Sequence, residues 1–319
     1  MTKQPIVLIT GINGYLGHYI YKECQRYSGT IIGTGRQENN DIENFKKFDL
    51  LNVDTDDLLT QVDIVIHSAA ITPGLETIKN FDNNVTMTRN LAKACIEKKV
   101  KHFILVSSAS IYAKSNQPHD EMSSLEPDSK YGKSKLLSEK ELGQYAGKMR
   151  ISILRMGTIF GPDMPDTNNI QRLINAVSSG YFLQLGLGHN EKSLLHVTDA
   201  ARACSYLAFG LTPTQTTPIA IFNIAPPPLK MTKIIEAISI GLGKNKPAVL
   251  PTPAIKTLMK LISLFTVIST KFSSIHNSLS KFLSNDVLKG DKFIDQTNFQ
   301  YEVDNLQELI KIAQSRRKH

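Results

Sequence analysis

The chain is predicted to be a doubly wound α/β protein, a parallel sheet covered by helices on both faces, with a smaller carboxyl-terminal lobe. Three observations predict it. Continuous apolar runs of strand length alternate with longer amphipathic segments of helical period. A glycine-rich turn joins the first run to the first helical segment. The composition, 41% hydrophobic and 21% charged over 319 residues, provides for one sizeable core. It excludes a disordered chain, a collagen-like fibre and a disulfide-stapled miniprotein.

Taken in order, Pro5–Thr10 (PIVLIT) reads as a buried strand and Tyr15–Tyr27 as the first helix. Thr30–Thr34 is the second strand, a short strand ends at Phe48, and Asp63–His67 (DIVIH) follows. Ile78–Lys98 reads as a long helix, His102–Ser107 (HFILVS) as a strand, Tyr131–Tyr145 as a helix and Ile151–Arg155 (ISILR) as a strand. Uninterrupted apolar strands require cover on both faces, which parallel sheets receive from their crossover helices. After Gly161-Pro162 the pattern loosens, so 1–162 is read as the sheet domain. Residues 163–319 are read as mainly a substrate-binding lobe with some segments returning to the sheet. Ala225-Pro226-Pro227-Pro228 breaks the chain before a helix for which Thr232 is the expected cap.

The formal charge is +8, and the segment from Lys244 onward holds 12 Lys/Arg against 6 Asp/Glu. A solvated basic surface is preferred over a nucleic-acid or lipid contact through Arg316-Arg317-Lys318. The most apolar stretch, Leu258–Ile268, contains Lys260 and is too short to span a bilayer. The amino terminus carries no pattern of an export signal. Cys24, Cys95 and Cys204 are widely spaced and read as buried thiols, which points to the cytoplasm. The eight histidines form no ligand spacing, so no metal is expected.

Gly11-Ile12-Asn13-Gly14-Tyr15-Leu16-Gly17 lies between the first strand and the first helix. At that place glycines allow a tight turn and the close approach of a pyrophosphate, and the helix start offers unpaired N–H groups. This is the dinucleotide-binding turn of a Rossmann fold. The second strand leads into Gly35-Arg36 rather than an acidic residue. Arg36 suits a 2′-phosphate and favours NADP over NAD, although Glu38 lies two residues on.

Of ten tyrosines, only Tyr131 is followed by lysine four residues later, Lys135. That spacing puts both on one helical face, following a strand that ends in Ser107-Ser108. An ammonium beside a phenol favours phenolate and is expected to lower its pKa toward neutrality. Such a phenol exchanges a proton with a substrate hydroxyl while hydride moves to or from a nicotinamide, with a serine holding the same oxygen.

These pieces resemble the extended short-chain dehydrogenase/reductases of the NAD-dependent epimerase/dehydratase family. The resemblance covers most of the chain: TGINGYLG, VIHSAA (Val65–Ala70), NNV (Asn83–Val85), VSSASIY (Val106–Tyr112), YGKSK (Tyr131–Lys135), ILRMGTIFGP (Ile153–Pro162), LLHVTDAARA (Leu194–Ala203) and IFNIA (Ile221–Ala225). It implies that Tyr131 is the acid/base, Lys135 its partner and a ribose ligand, and Ser108 the anchor of the substrate oxygen. Ser107 is the other choice, and aligning Ile111-Tyr112 with the family's Val-Tyr favours Ser108. Asp49 and Leu50 would meet adenine, and Ala69, Ala70 and Asn84 would line the cofactor groove. A homodimer through two helices is a family expectation.

Ala109-Ser110 stand where the family's dehydratases carry Asp-Glu, so dehydration is not expected. Thr158 replaces a common asparagine, and Lys192 stands where many members place a phosphate-binding arginine. Asn169 and the segment around Lys192 resemble enzymes acting at C4 of UDP-N-acetylhexosamines in surface-polysaccharide synthesis. His196 is read as a packed or capping histidine, and Asp199 as a helix cap. The expected function is a C4 epimerase or 4-ketoreductase of a UDP-hexose or UDP-N-acetylhexosamine. Two alternatives are an NADPH-dependent reductase of an apolar, steroid- or flavonol-like carbonyl, with Leu258–Phe265 lining its pocket, and a silent cofactor-sensing scaffold.

Overall fold

The computed structural model describes residues 4–52, 58–73, 80–210, 217–265 and 270–317, apart from several side chains between 258 and 278. Ile78, Lys318 and much of Leu258–Ile268 therefore lie outside the described residues or side chains.

The chain opens with β1 (Ile6–Thr10), α1 (Tyr15–Cys24), β2 (Thr30–Gly35), β3 (Phe45–Lys47) and β4 (Ile64–His67). It continues with α2 (Asp82–Glu97), β5 (His102–Ser108), α3 (Lys130–Gly143), β6 (Arg150–Met156) and β7 (Thr158–Phe160). The remainder comprises α4 (Asn169–Ser178), β8 (Gln184–Leu185), β9 (Glu191–Lys192), β10 (Leu194–His196), α5 (Val197–Ala208) and β11 (Ile219–Ile224). Last come β12 (Leu229–Lys230), α6 (Met231–Leu242), β13 (Val249–Leu250), α7 (Thr252–Phe265), α8 (Thr270–Leu283), α9 (Asp291–Thr297) and α10 (Asn305–Arg316).

Seven strands form one sheet in the order β11-β6-β5-β4-β1-β2-β3. Every neighbour in it runs parallel. The sheet turns around between β1 and β4, which opens a crevice at the carboxyl ends of the strands, where such folds bind ligands. One face is covered by α1 and α5, whose Ile20, Cys24, Ala201 and Cys204 pack on Val7, Ile9 and Ile104. The other carries Leu91 and Cys95 of α2 and Leu142 of α3, packed on Leu8, Val65 and Phe103. A separate core joins α4, α6 and α10 through Ile174, Ile234, Ile238 and Leu309.

Three local expectations are corrected. The cap of α6 is Lys230, with Thr232 already inside the helix. His196 caps α5, its ring accepting from the Thr198 N–H. Asp199 instead sits in the first turn, where it pairs with Arg202 at 2.7 Å and accepts from the Glu302 and Val303 amides. α1 stops at Cys24, before Tyr27. The three cysteines are free and buried.

Candidate active site

The crevice is a cleft of about 1750 Å³ that runs from the glycine turn, over the ends of β4 and β5, to the second lobe. Drug-sized pockets occupy roughly 300–1,000 Å³, so this cleft exceeds what one such ligand fills. Gly11, Asn13, Gly14, Tyr15, Leu16 and Gly17 form one end. Gly11 holds φ +73, and a Cβ there would stand 2.6 Å from the Ala69 Cα, so any side chain would push the turn off β4. Gly14 precedes α1 with no side-chain cap, which leaves the first-turn amides for an anion. This cradle fits a dinucleotide pyrophosphate.

The Asn13 side chain braces the next loop, donating to the Gln37 carbonyl at 2.9 Å and accepting from Asn39 at 2.8 Å. Arg36, Asp49, Leu50, Ala69 and Ala70 all line the cleft. Asn84 is corrected: it is buried and lies outside the wall, with its carbonyl accepting from the Ile71 N–H at 2.7 Å. Its amide donates to the Ile71 carbonyl and the Ser134 hydroxyl, both at 3.1 Å. Asn83 and Met87 take the wall position instead.

The Ser–Tyr–Lys set meets at the middle of the cleft. α3 is started by Ser129, whose hydroxyl accepts from the Gly132 N–H at 3.0 Å. A Cβ on Gly132 would fall 2.3 Å from the Ser110 carbonyl oxygen, so only glycine lets α3 seat against the end of β5. That seating brings Tyr131 within hydrogen-bonding reach of the Ser108 hydroxyl. The Ser108 hydroxyl also accepts from Ser110, from its N–H at 3.2 Å and from its hydroxyl at 2.9 Å. Ser107 is turned elsewhere and donates to Glu139 at 2.5 Å.

Burial governs the electrostatics. It pushes the Tyr131 phenol up to about 12, with the Ser108 hydrogen bond pulling the other way. The expected drop toward neutrality is therefore not found. Burial also takes Lys135 down to about 8, against an upward pull from Glu139. An ammonium so reluctant to hold its charge gives the phenol little help. His67, buried between Thr10 and Thr88, is held neutral with its pKa lowered to about 3.

Beneath these groups lies a network that the sequence reading missed. Arg155 is 2% exposed and clasps Glu139 through Nε at 3.2 Å and Nη2 at 2.8 Å. Its Nη1 donates to the Tyr112 hydroxyl at 2.9 Å, which in turn donates to Asn223 at 2.7 Å. One signal was available: Glu139 follows Lys135 by four residues, so Tyr131, Lys135 and Glu139 share one face of α3.

On the far side Thr158 and Asn169 line the cleft, beside the helix cap Asn168. Lys192 is corrected. Its Nζ donates to the Lys281 carbonyl at 2.9 Å, and it lies outside the wall; the cation facing the cleft there is Lys281. His119 also lines the wall, stacked on Tyr112 at 4.8 Å, and a lone histidine in a loop had no pattern to announce it.

A glycine cradle at the first strand–helix turn, with serine, tyrosine and lysine at the ends of the next elements, defines the Rossmann class that works with a nicotinamide dinucleotide. The NAD dependent epimerase/dehydratase family matches residues 7–225, and the chain belongs to it. Among relatives, it is 28% identical over 179 residues to N-acetyl-alpha-D-glucosaminyl-diphospho-ditrans,octacis-undecaprenol 4-epimerase of Escherichia coli O157:H7, covering 54% of this chain and 52% of that one. It is 27% identical over 222 residues to an uncharacterised UDP-glucose epimerase of Bacillus subtilis, covering 61% and 70%. The chain thus spans about half the length of the first relative. Among solved structures, UDP-N-acetylglucosamine 4-epimerase from Bacillus cereus superposes with a TM-score of 0.73 at 21% identity, over 99% of this chain and 100% of that one.

Proposed function

We propose that the chain is an enzyme that oxidises or reduces C4 of a hexose carried on a diphosphate, with a UDP-hexose or UDP-N-acetylhexosamine as substrate. The observation that carries this reading is that Ser108, Tyr131 and Lys135 line one cleft together, between the dinucleotide cradle and the polar second lobe. A nicotinamide bound in that cradle would supply the hydride acceptor or donor.

Ser108 holds the sugar O4 beside Tyr131. In oxidation Tyr131 accepts the O4 proton, and in reduction it returns a proton to the ketone oxygen. Lys135, still largely an ammonium at neutral pH, sits one turn along from Tyr131, where it would hold the cofactor ribose. Epimerisation needs the ketone to turn over between the two steps, and the breadth of the cleft leaves room for that.

NADP is favoured over NAD. Arg36 lines the cleft while the Glu38 carboxylate lies 3.7 Å from the Lys47 ammonium. An apolar carbonyl substrate is disfavoured, because Asn168, Asn169, Lys281 and Asn285 make the far wall polar. None of the described side chains of Leu258–Phe265 lines it. The relative from Escherichia coli acts on a sugar carried by diphospho-undecaprenol. The same C4 chemistry on a lipid-linked sugar is the second reading, favoured by that likeness.

The test is to denature the purified protein and identify any nicotinamide nucleotide released. Near-stoichiometric NAD⁺ supports an epimerase, which regenerates its cofactor each turnover, and overturns the NADP preference. An empty protein that binds NADPH reversibly supports a 4-ketoreductase. Binding of neither overturns the enzyme reading.

A further inference from the structure

Between Glu236 and Asp286 the chain carries six lysines and not one Asp, Glu or Arg. The average of 29 acids in 319 residues would place about four acids in that span. The span forms β13, α7 and α8 and ends at the mouth of the cleft, where Ser280, Lys281 and Ser284 line the wall. Two of the lysines are engaged locally: Lys246 pairs with Glu236 at 2.7 Å, and Lys244 donates to the Ser178 carbonyl.

Lys256 and Lys260 are exposed and lie one turn apart on α7, so their ammonium groups share a face. Ile255, about a quarter-turn or more around the helix from the two lysines, is buried. Leu261, next to Lys260, is 52% exposed. Val249 on β13 is 46% exposed, and Leu183 and Leu187, flanking the β8 strand that pairs with it, are 47% and 66% exposed. Large aliphatic side chains and lysines thus both stand in water on elements whose stretch of chain, 237–285, holds no acid. Among the described residues no helix is long and apolar enough to cross a membrane.

We propose that α7, α8 and the β8–β13 ribbon form a docking surface for an anionic phospholipid bilayer. Lysines with long apolar stems reach the headgroup level while the aliphatic side chains enter the upper acyl region. The lack of acids removes the repulsion that a negative surface would otherwise meet. Nucleic acid is the weaker partner, because the span holds no arginine for a phosphate or a base. Docked this way, the chain lies with the cleft mouth close to the membrane plane. The inference does not depend on the reaction at C4 or on the carrier of the sugar.

The test is flotation of the full chain with vesicles of phosphatidylcholine alone or mixed with phosphatidylglycerol. Partition onto the mixed vesicles is expected to exceed that onto phosphatidylcholine by at least about tenfold and to fall as salt rises. The double variant Lys256→Glu/Lys260→Glu is expected to lose about tenfold or more of that partition while binding NAD(P)H as before, since both residues lie outside the cleft. Leu261→Ser is expected to weaken the binding that survives high salt. Equal partition onto both vesicle types overturns the proposal, as does full binding by the double-glutamate variant. Oligonucleotide binding without vesicle binding, or a dimer dispersed by these substitutions without vesicle binding, also overturns it.

Discussion

The wall of the cleft built by β1, β4, β5 and α3 differs in kind from the wall built by α4, α8 and the segment after α8. In the first, side chains hold one another in closed sets: Thr10–His67–Thr88, Asn84–Ser134, and Ser107–Glu139–Arg155–Tyr112–Asn223. In the second, polar side chains mostly hold backbone carbonyls, as Asn168 does with Ile159, Asn190 with Phe282 and Lys192 with Lys281. The first arrangement holds charge and proton positions through side chains that constrain one another. The second ties loops together while leaving side-chain identity free. Proton chemistry needs the former, and choice among substrates tolerates the latter.

The most damaging change belongs to the first wall. Tyr131→Phe is expected to cut turnover by about 10²–10⁴-fold with cofactor affinity unchanged, measured by steady-state kinetics and NAD(P)H fluorescence. An intact rate in this variant would remove Tyr131 from the chemistry. Next comes the buried pair below it. With Arg155 2% and Glu139 6% exposed at the side chain, Arg155→Met leaves a carboxylate uncompensated and is expected to cost about 3–5 kcal/mol in denaturant unfolding. Arg155→Met/Glu139→Leu is expected to recover most of that loss. A double variant no better than the single would show that the network acts through packing rather than charge.

Lys135 supplies a pH signature. Its pKa is about 8 in the folded chain against an ordinary 10.5. Between those values the unfolded chain binds more protons, so this residue's contribution to stability rises with pH across the window and is lost as pH falls through 8. Lys135→Met is expected to flatten the stability profile there, as read from melting temperature against pH. A smaller effect is expected at Arg36, where replacement by alanine should shift the NADPH-to-NADH affinity ratio by about tenfold toward NADH. A ratio unchanged by that replacement would leave Arg36 facing solvent.

Legibility in the sequence followed the same division. The strands of the first half announce themselves because burial on both faces demands unbroken apolar runs, and β1, β4, β5 and β6 differ from their predicted spans by one or two residues at most. Tyr131 and Lys135 were legible because helical spacing fixes their common face. The strand pattern alone did not separate Ser107 from Ser108, since adjacent strand residues point to opposite sides; the resemblance at Ile111-Tyr112 favoured Ser108, and in the fold Ser107 turns to Glu139. Asn84 was misplaced by one position on α2 for a similar reason: the turn that faces the cleft is set by how α2 packs, which no local pattern encodes. His119, Lys281 and Asn285 come together from segments more than a hundred residues apart, in a lobe whose elements are short and whose polar contacts run through backbone.

Lys192 sharpens the comparison most finely because sequence and structure disagree about it. By position in the chain it reads as the cation for a substrate diphosphate; in the fold it is buried, with its pKa lowered by burial, and its Nζ ties β9 to the end of α8. A cation engaged in that way has little left to offer a ligand, whereas Lys281, whose backbone it holds, faces the cleft. Lys192→Ala is therefore expected to change nucleotide-sugar affinity by no more than about twofold, and Lys281→Ala to weaken it by about five- to tenfold, the weight of one partly exposed charge contact. Isothermal titration with a UDP-sugar reads both. The reverse order would mean that the second wall rearranges when substrate enters, freeing Lys192 from its carbonyl, and the loose backbone-held lobe would then be a closing element rather than a fixed one.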